Sequence, residues 1–441
     1  MSCKVLIDNL NEETKNRIDN ELKIIVEESN SFSKNFSNKS STQKIIYPYE
    51  IYNEHVYLPF YYSYNVLGLK RPSTNLESKI DVKFIMELKE EQKEVKTEAI
   101  KLLNTTGCVL LALRCGFGKT FCATYLACKI GLKTLIIVNK VVLIKQWEES
   151  ILKTCPSALI QKLTAKSKKQ NADFYIINAQ NVCKLSSSFF TDIQTLIIDE
   201  IHLIMAETLS KSLQYIFPKY LIGLSATPYR PDGLTKLLDV YCGEYKIVRD
   251  LYKQHFVFKI DTGFKPTEEY QRDGKLNWGI ILDSQANDEK RNDLIIQIVH
   301  DYSTRNFLIL VKRISQGEYI LEKLKEIGIE VDSLLGKNQV FNKDVRVLIG
   351  TTSKVGVGFD WPKADALLLA SDLEEYFIQY LGRVFRRQDI VPIIFDLVDD
   401  HKTLIRHYNT RRKIYKKHGG EISILEKYSS FKNNNFEYIL K

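Results

Sequence analysis

Two short stretches of this chain place residues suited to phosphate chemistry at fixed spacing. The first, Leu113-Arg114-Cys115-Gly116-Phe117-Gly118-Lys119-Thr120, follows the apolar run 108–113 and precedes a helical pattern through Tyr125 and Leu126. Strand, glycine turn and helix in that order make a phosphate cradle: the glycines let backbone N–H groups close around the oxygens, and the helix N-terminus adds its dipole. In such a loop Lys119 would reach the β- and γ-phosphates of a nucleoside triphosphate, and Thr120 would ligate Mg²⁺. Leu113 stands where the general pattern has its first glycine. The second stretch is Asp199-Glu200-Ile201-His202, directly after the apolar run 195–198. An acidic pair there leaves the carboxyl end of a buried strand, where α/β sheets bind ligands. Asp199 would hold hydrated Mg²⁺, and Glu200 would orient and deprotonate an attacking water. Alone, one is a glycine turn and the other a helix start; in this order and context they point to hydrolysis of a triphosphate.

Three further stretches carry less by themselves. Ser225-Ala226-Thr227-Pro228 follows the run 220–224 and reads as a turn. Residues 352–360 supply Gly356, Gly358 and Asp360, and residues 379–386 supply Gln379, Arg383 and Arg386. Two arginines three apart share a helix face, which in isolation is most often a solvated stripe.

The elements that must position these groups follow from hydrophobic rhythm. Between about 81 and 247, short apolar runs alternate with longer mixed segments, the pattern of β-α-β units building a parallel sheet. The rhythm recurs after 293, with runs at 307–311, 345–349, 366–369 and 391–395 and a one-faced helical pattern at Ile320, Leu321, Leu324 and Ile327. Four regions are expected: an N-terminal accessory region of small α+β character at 1–80, a first α/β domain at 81–247, a connector at 248–292 marked by Gly263, Pro266, Gly274 and Gly279, and a second α/β domain at 293–441.

Bulk properties agree with a globular chain of several modules. Of 441 residues, 44% are hydrophobic and 27% charged, and no apolar run approaches the length of a membrane span. The first residues lack a secretory h-region, so an intracellular protein is expected, in host cytoplasm, nucleus or virion if the source is viral. The eight cysteines show no metal-type spacing and read as reduced. The net charge of +9 suits a polyanion partner, and residues 401–441 hold ten Lys and Arg against three Glu.

Taken in order, these stretches resemble the superfamily 2 helicases over about 81–400, and more narrowly the DExH enzymes of the XPB/UvsW-like branch, which includes transcript-release helicases of large DNA viruses. Residues 113–120 are similar to motif I, 135–147 to motif Ia, 199–202 to motif II, 225–227 to motif III, 352–360 to motif V and 379–386 to motif VI. The resemblance implies two tandem RecA-like domains, with Gln379, Arg383 and Arg386 facing a γ-phosphate held by the first. It implies that His202, Ser225 and Thr227 couple hydrolysis to strand movement, that Gly358 and Asp360 join the nucleotide site, and that ATP and Mg²⁺ are the cofactors. Residues 88–92 look like the glutamine motif, in which Gln92 reads adenine, against the plainer reading of a polar helix start. Arg230-Pro231-Asp232 looks like the Arg-Glu-Asp of the XPB-like branch, with Pro231 replacing Glu; Asn139 and Asn178 also depart from motifs Ia and Ic. The implied activity is that of a nucleic-acid-dependent ATPase, a helicase or translocase acting on DNA. An RNA helicase or remodeller, or an ATP-gated clamp, are the alternatives, and transcription or replication machinery the protein partners. Abundant Lys, Asn, Ile and Tyr, all drawn from A/T-rich codons, fit a viral source.

Three features lie outside these motifs. Eight aromatics between 47 and 64 either pack a small sheet or stack on bases. Lys162, Lys166, Lys168 and Lys169 form a basic loop. Arg411, Arg412, Lys413, Lys416 and Lys417 lie on a helix that either holds phosphates or is a solvated face packing Leu404, Ile405 and Tyr408 inward.

Overall fold

The computed structural model describes residues 2–26, 44–114, 116–205, 213, 216–227, 229, 234–272, 274–356, 359–373 and 377–425. Cys115, Gly358 and the Arg230-Pro231-Asp232 stretch lie outside them. The chain forms two compact units, Met1–Asp250 and Leu251–Lys441.

The first unit begins with β1 (Ser2–Leu6), β2 (Ile24–Val26), β3 (Lys44–Ile46), β4 (Glu50–Tyr52) and β5 (His55–Pro59). β1, β5 and β4 form an antiparallel sheet, and β2 pairs with β3. Asn53 and Glu54, both at positive φ, make the two-residue turn between β4 and β5. Val56, Leu58, Phe60 and Tyr62 are buried and share a core with Leu110, Leu135 and Tyr241, so the β1-β5-β4 layer and the residues just after it pack onto the first α/β layer. Tyr57 is buried as well, whereas Tyr47 and Tyr52 are exposed. Packing, not base stacking, therefore accounts for most of the aromatic block.

The central sheet of this unit contains β6 (Cys108–Leu113), β7 (Thr134–Val138), β8 (Ile160–Leu163), β9 (Phe174–Asn178), β10 (Thr195–Ile198), β11 (Tyr220–Ser225) and β12 (Lys246–Arg249). All its pairings are parallel, in the order β12-β6-β11-β10-β7-β9-β8. Every residue of β6, β7, β9 and β10 is buried, which is why these segments read as unbroken apolar runs. The order has one consequence for chemistry. β6, β11 and β10 are neighbours, so their carboxyl ends bring residues 113–120, 225–227 and 199–202 side by side although they are far apart in sequence.

The second unit contains β13 (His255–Asp261), β14 (Phe307–Val311), β15 (Val331–Leu334), β16 (Val347–Thr351), β17 (Ala366–Leu369), β18 (Ile393–Val398) and β19 (Gly420–Leu425). It too is fully parallel, ordered β15-β16-β14-β17-β18-β13-β19. The stretch 248–292, expected to be a connector, instead supplies β13, between β18 and β19, and the helix Trp278–Asn287. Gly263 and Gly274 lie in the loops around those elements, whereas Gly279 falls in the first turn of that helix, and the strand His255–Asp261 is half-buried at every second or third position, so it leaves no unbroken apolar run.

Candidate nucleotide site and its relatives

Gly116 and Gly118 adopt φ of 78° and 94°, and the helix Lys119–Ile130 starts immediately after them. A side chain at Gly118 would be strained by that φ and would also meet Gln92: a Cβ there would lie 2.6 Å from the Gln92 amide nitrogen. Gln92 is buried in the helix Glu90–Thr106 and uses both ends of its amide. Its Nε2 donates to the Phe117 carbonyl at 2.7 Å, and its Oε1 accepts from the Lys89 N–H at 2.9 Å, capping the start of its own helix. Gln92 thus holds the phosphate loop from behind, a contact the sequence did not reveal. Next to Gln92, Glu91 accepts from Arg114 at 2.7 Å, and Arg114 lies over the Phe117 ring.

Lys119 bends back over its loop, donating to the Leu113 carbonyl at 3.4 Å, with Glu200 Oε1 3.7 Å from its ammonium. Asp199 and Glu200 are both buried. Glu200 sits at φ 48°, ψ 52°, a left-handed conformation that costs a non-glycine residue about 1–2 kcal/mol. Among the described residues it is the one non-glycine at positive φ outside the β4–β5 turn. Burial, reinforced by the neighbouring Glu200, pushes the Asp199 carboxyl up to about 6. Trp147, in the helix Val142–Thr154, donates its indole N–H to Asp199 Oδ2 at 2.9 Å.

Beyond this pair, His202 is completely buried. Its Nδ1 is 2.8 Å from Ser225 Oγ and 3.5 Å from Glu200 Oε2, and its Nε2 is 3.3 Å from Thr227 Oγ1. Ser225 in turn donates to the Thr227 carbonyl and accepts from the Thr227 N–H. A continuous polar chain therefore runs Lys119–Glu200–His202–Ser225–Thr227. Of the residues singled out in sequence for this unit, the described ones converge on one end of one sheet.

The oxygen donors here suit magnesium. Mg²⁺ prefers one or two carboxylates completed by water and substrate phosphates over an all-protein cage. Thr120 and Asp199 are such hard donors, and the described residues contain no cluster of three or more His, Cys, Asp or Glu side chains that would favour another metal.

In the second unit, Arg383 and Gln379 lie on the helix Phe377–Val384, and Arg386 just past its end. Arg383 donates to the carbonyls of Phe359 at 2.7 Å and Gly356 at 2.6 Å, and Arg386 pairs with Asp360. The two arginines thereby hold Gly356, Phe359 and Asp360. Gln379 is buried and its Nε2 has no hydrogen-bond partner among the described residues.

Both basic segments have part of their charge paired within the protein. Lys162 pairs with Glu148, and Lys169 pairs with Asp192 and donates to the Phe189 carbonyl, so half of that loop's charge is already neutralised. On the helix Lys402–Lys417, Arg411 faces inward: it is 2% exposed and bonds both oxygens of Asp396, Asp372 Oδ1 and the Leu373 carbonyl. Tyr415 completes the cluster by donating to Asp396 at 2.8 Å. The buried stripe is Leu404, His407, Tyr408, Arg411 and Tyr415, while Ile405 is 40% exposed. Sequence spacing placed Ile405 inside because an apolar type at that position outweighed the arginine's, and only the two buried carboxylates reverse that preference.

Two parallel sheets in tandem, the first carrying a phosphate loop joined through an acidic pair to a buried histidine, define an ATPase of helicase type. Residues 85–230 match the family described as type III restriction enzyme, res subunit. The chain is 45% identical over 395 residues to a protein designated helicase 161L from Invertebrate iridescent virus 6, covering 83% of this chain and 89% of that one. It is 30% identical over 372 residues to one designated helicase 055L from Frog virus 3, covering 81% and 84%. In fold it is similar to Saccharomyces cerevisiae Dbp5 bound to RNA and ADP BeF3, with a TM-score of 0.56 at 15% identity over 79% of this chain and 93% of that one. The chain belongs to the superfamily 2 helicases, in the group of these viral proteins, and is a nucleic-acid-dependent ATPase. No helix among the described residues is long and apolar enough to cross a membrane.

Proposed function

We propose that this chain uses ATP and Mg²⁺ to translocate along or unwind DNA. In this reading Lys119 and residues 113–118 hold the phosphates, Thr120 and Asp199 hold the hydrated Mg²⁺, and Glu200 orients and deprotonates the attacking water. Gln379, Arg383, Arg386, Gly358 and Asp360 serve the same hydrolysis, as their motif sequences imply, and an arginine in this role is worth roughly 10³–10⁵ in rate. The observation that carries the reading is the chain Lys119–Glu200–His202–Ser225–Thr227. It gives a change at the γ-phosphate a physical route, through contacting side chains, to the turn after β11. DNA is favoured by the resemblance of the loop and of residues 230–232 to the XPB-like branch, and transcription or replication machinery is the implied setting.

The test is ATPase activity titrated with single-stranded DNA, duplex DNA and RNA of equal length. Stimulation by DNA above RNA supports the proposal, whereas stimulation by RNA alone replaces it with an RNA remodeller. Lys119→Ala, Glu200→Gln and Arg386→Ala should each abolish stimulated turnover, and full activity in any of them removes that residue from its role. Strand-displacement assays separate a motor from an ATP-gated clamp, which displaces nothing.

A further inference from the structure

Trp147 is large, polar at one point and almost wholly enclosed, with 2% of its surface exposed. Its single polar atom is spent on Asp199, at 2.9 Å. An indole N–H can only donate, so it commits one carboxylate oxygen and orients the other. Asp199 is fixed from its backbone side as well, its N–H donating to the Ile137 carbonyl at 2.9 Å. The carboxylate is therefore held by the strand β7 through the main chain and by the following helix through Trp147. Partners that orient a metal-holding carboxylate in this way commonly set metal affinity, and losing one costs about 10–100-fold.

We propose that Trp147 is a positioning residue for the magnesium site: its indole N–H pins Asp199 Oδ2 so that Oδ1 is presented to the hydrated ion. This rests on the assignment of Asp199 to Mg²⁺ given above. It also makes the helix Val142–Thr154 a structural partner of the metal site, since any displacement of that helix pulls on the carboxylate. The competing explanation is that Trp147 only fills space between helix and sheet.

The experiment measures binding of a fluorescent ADP analogue to the full chain with and without Mg²⁺, in the wild type, Trp147→Phe, Asp199→Asn and the double variant. Trp147→Phe keeps an aromatic ring and removes the donor. Incorporating benzothienylalanine at position 147 keeps the whole bicycle and removes only the N–H, which covers the case in which the phenylalanine variant packs poorly. The expected result is Mg²⁺-free affinity within twofold of wild type, with the Mg²⁺-dependent gain in affinity reduced about tenfold or more. In the Asp199→Asn background, Trp147→Phe should cause no further loss of that gain. A space-filling role predicts equal losses with and without Mg²⁺, or none, and either overturns the proposal. If Asp199→Asn itself leaves the Mg²⁺ gain intact, the metal assignment has failed, an outcome distinct from failure of Trp147 alone.

Discussion

Replacing Gly118 by alanine probes how the phosphate loop is held. The residue adopts φ 94°, where an L side chain costs about 1–2 kcal/mol. A Cβ there would also lie 2.6 Å from Gln92 Nε2, so the glutamine must leave. Its departure breaks the bonds to the Phe117 carbonyl and the Lys89 N–H, together worth about 1–3 kcal/mol at about 0.5–1.5 kcal/mol each. Gly118→Ala should therefore destabilise the first unit by about 2–5 kcal/mol, and Gln92→Ala by about 1–3 kcal/mol. Because both variants lose the same two bonds, the double variant should be no worse than Gly118→Ala, a coupling of about 1–3 kcal/mol. Trp147 is the one tryptophan of the first unit, so in a Trp278→Phe, Trp361→Phe background its fluorescence during urea unfolding follows that unit alone. Additivity of the two substitutions within ~0.5 kcal/mol would refute the account, since it would mean that Gln92 does not hold the loop.

Three other outcomes follow from buried contacts. Arg411→Met should cost about 3–5 kcal/mol, because Asp396 would be left buried without its cation and Asp372 with His407 alone, while Arg412→Ala and Lys413→Ala should change stability by less than ~0.5 kcal/mol. An Arg411 variant of unchanged urea midpoint but weaker nucleic-acid binding would restore the phosphate-contact reading. Asp199, raised to about 6, contributes stability that is complete below its unfolded value near 4 and is lost as the pH rises through about 6. Nucleotide-free Asp199→Asn should accordingly melt higher than wild type at pH 8 and no higher at pH 4, and equal melting at both values would sink that sign. Cys128 and Cys155 place their sulfurs 3.4 Å apart between the helices Lys119–Ile130 and Val142–Thr154, and the hydrogen bond from Cys128 pulls the Cys155 thiol below its usual range. Mild oxidation with glutathione disulfide should link them, detectable by peptide mass. Closing a 27-residue loop should raise stability by roughly 3.5 kcal/mol, reversibly with dithiothreitol, and Cys128→Ser should abolish both effects.

What the sequence determined by itself was local. Gly116, Gly118, Lys119, Asp199 and Glu200 could be read because a glycine turn or an acidic pair at a strand end is written in contiguous residues, and fully buried strands leave unbroken apolar runs. Two α/β units were legible for the same reason. Tertiary structure alone decided which distant groups met. The strand order set the turn after β11 between the phosphate loop and the acidic pair, so His202 finds Ser225 and Thr227 through a pairing that no local pattern encodes. It took Arg411 from a basic stripe into a buried cluster because two carboxylates from other elements were waiting there. It likewise gave Gln92 the Phe117 carbonyl and gave Asp199 the Trp147 indole. The physical reason is common to all of these: a residue type announces what it can donate or accept, but its partner is supplied by chain tens to hundreds of residues away, and only folding brings the two within hydrogen-bond reach.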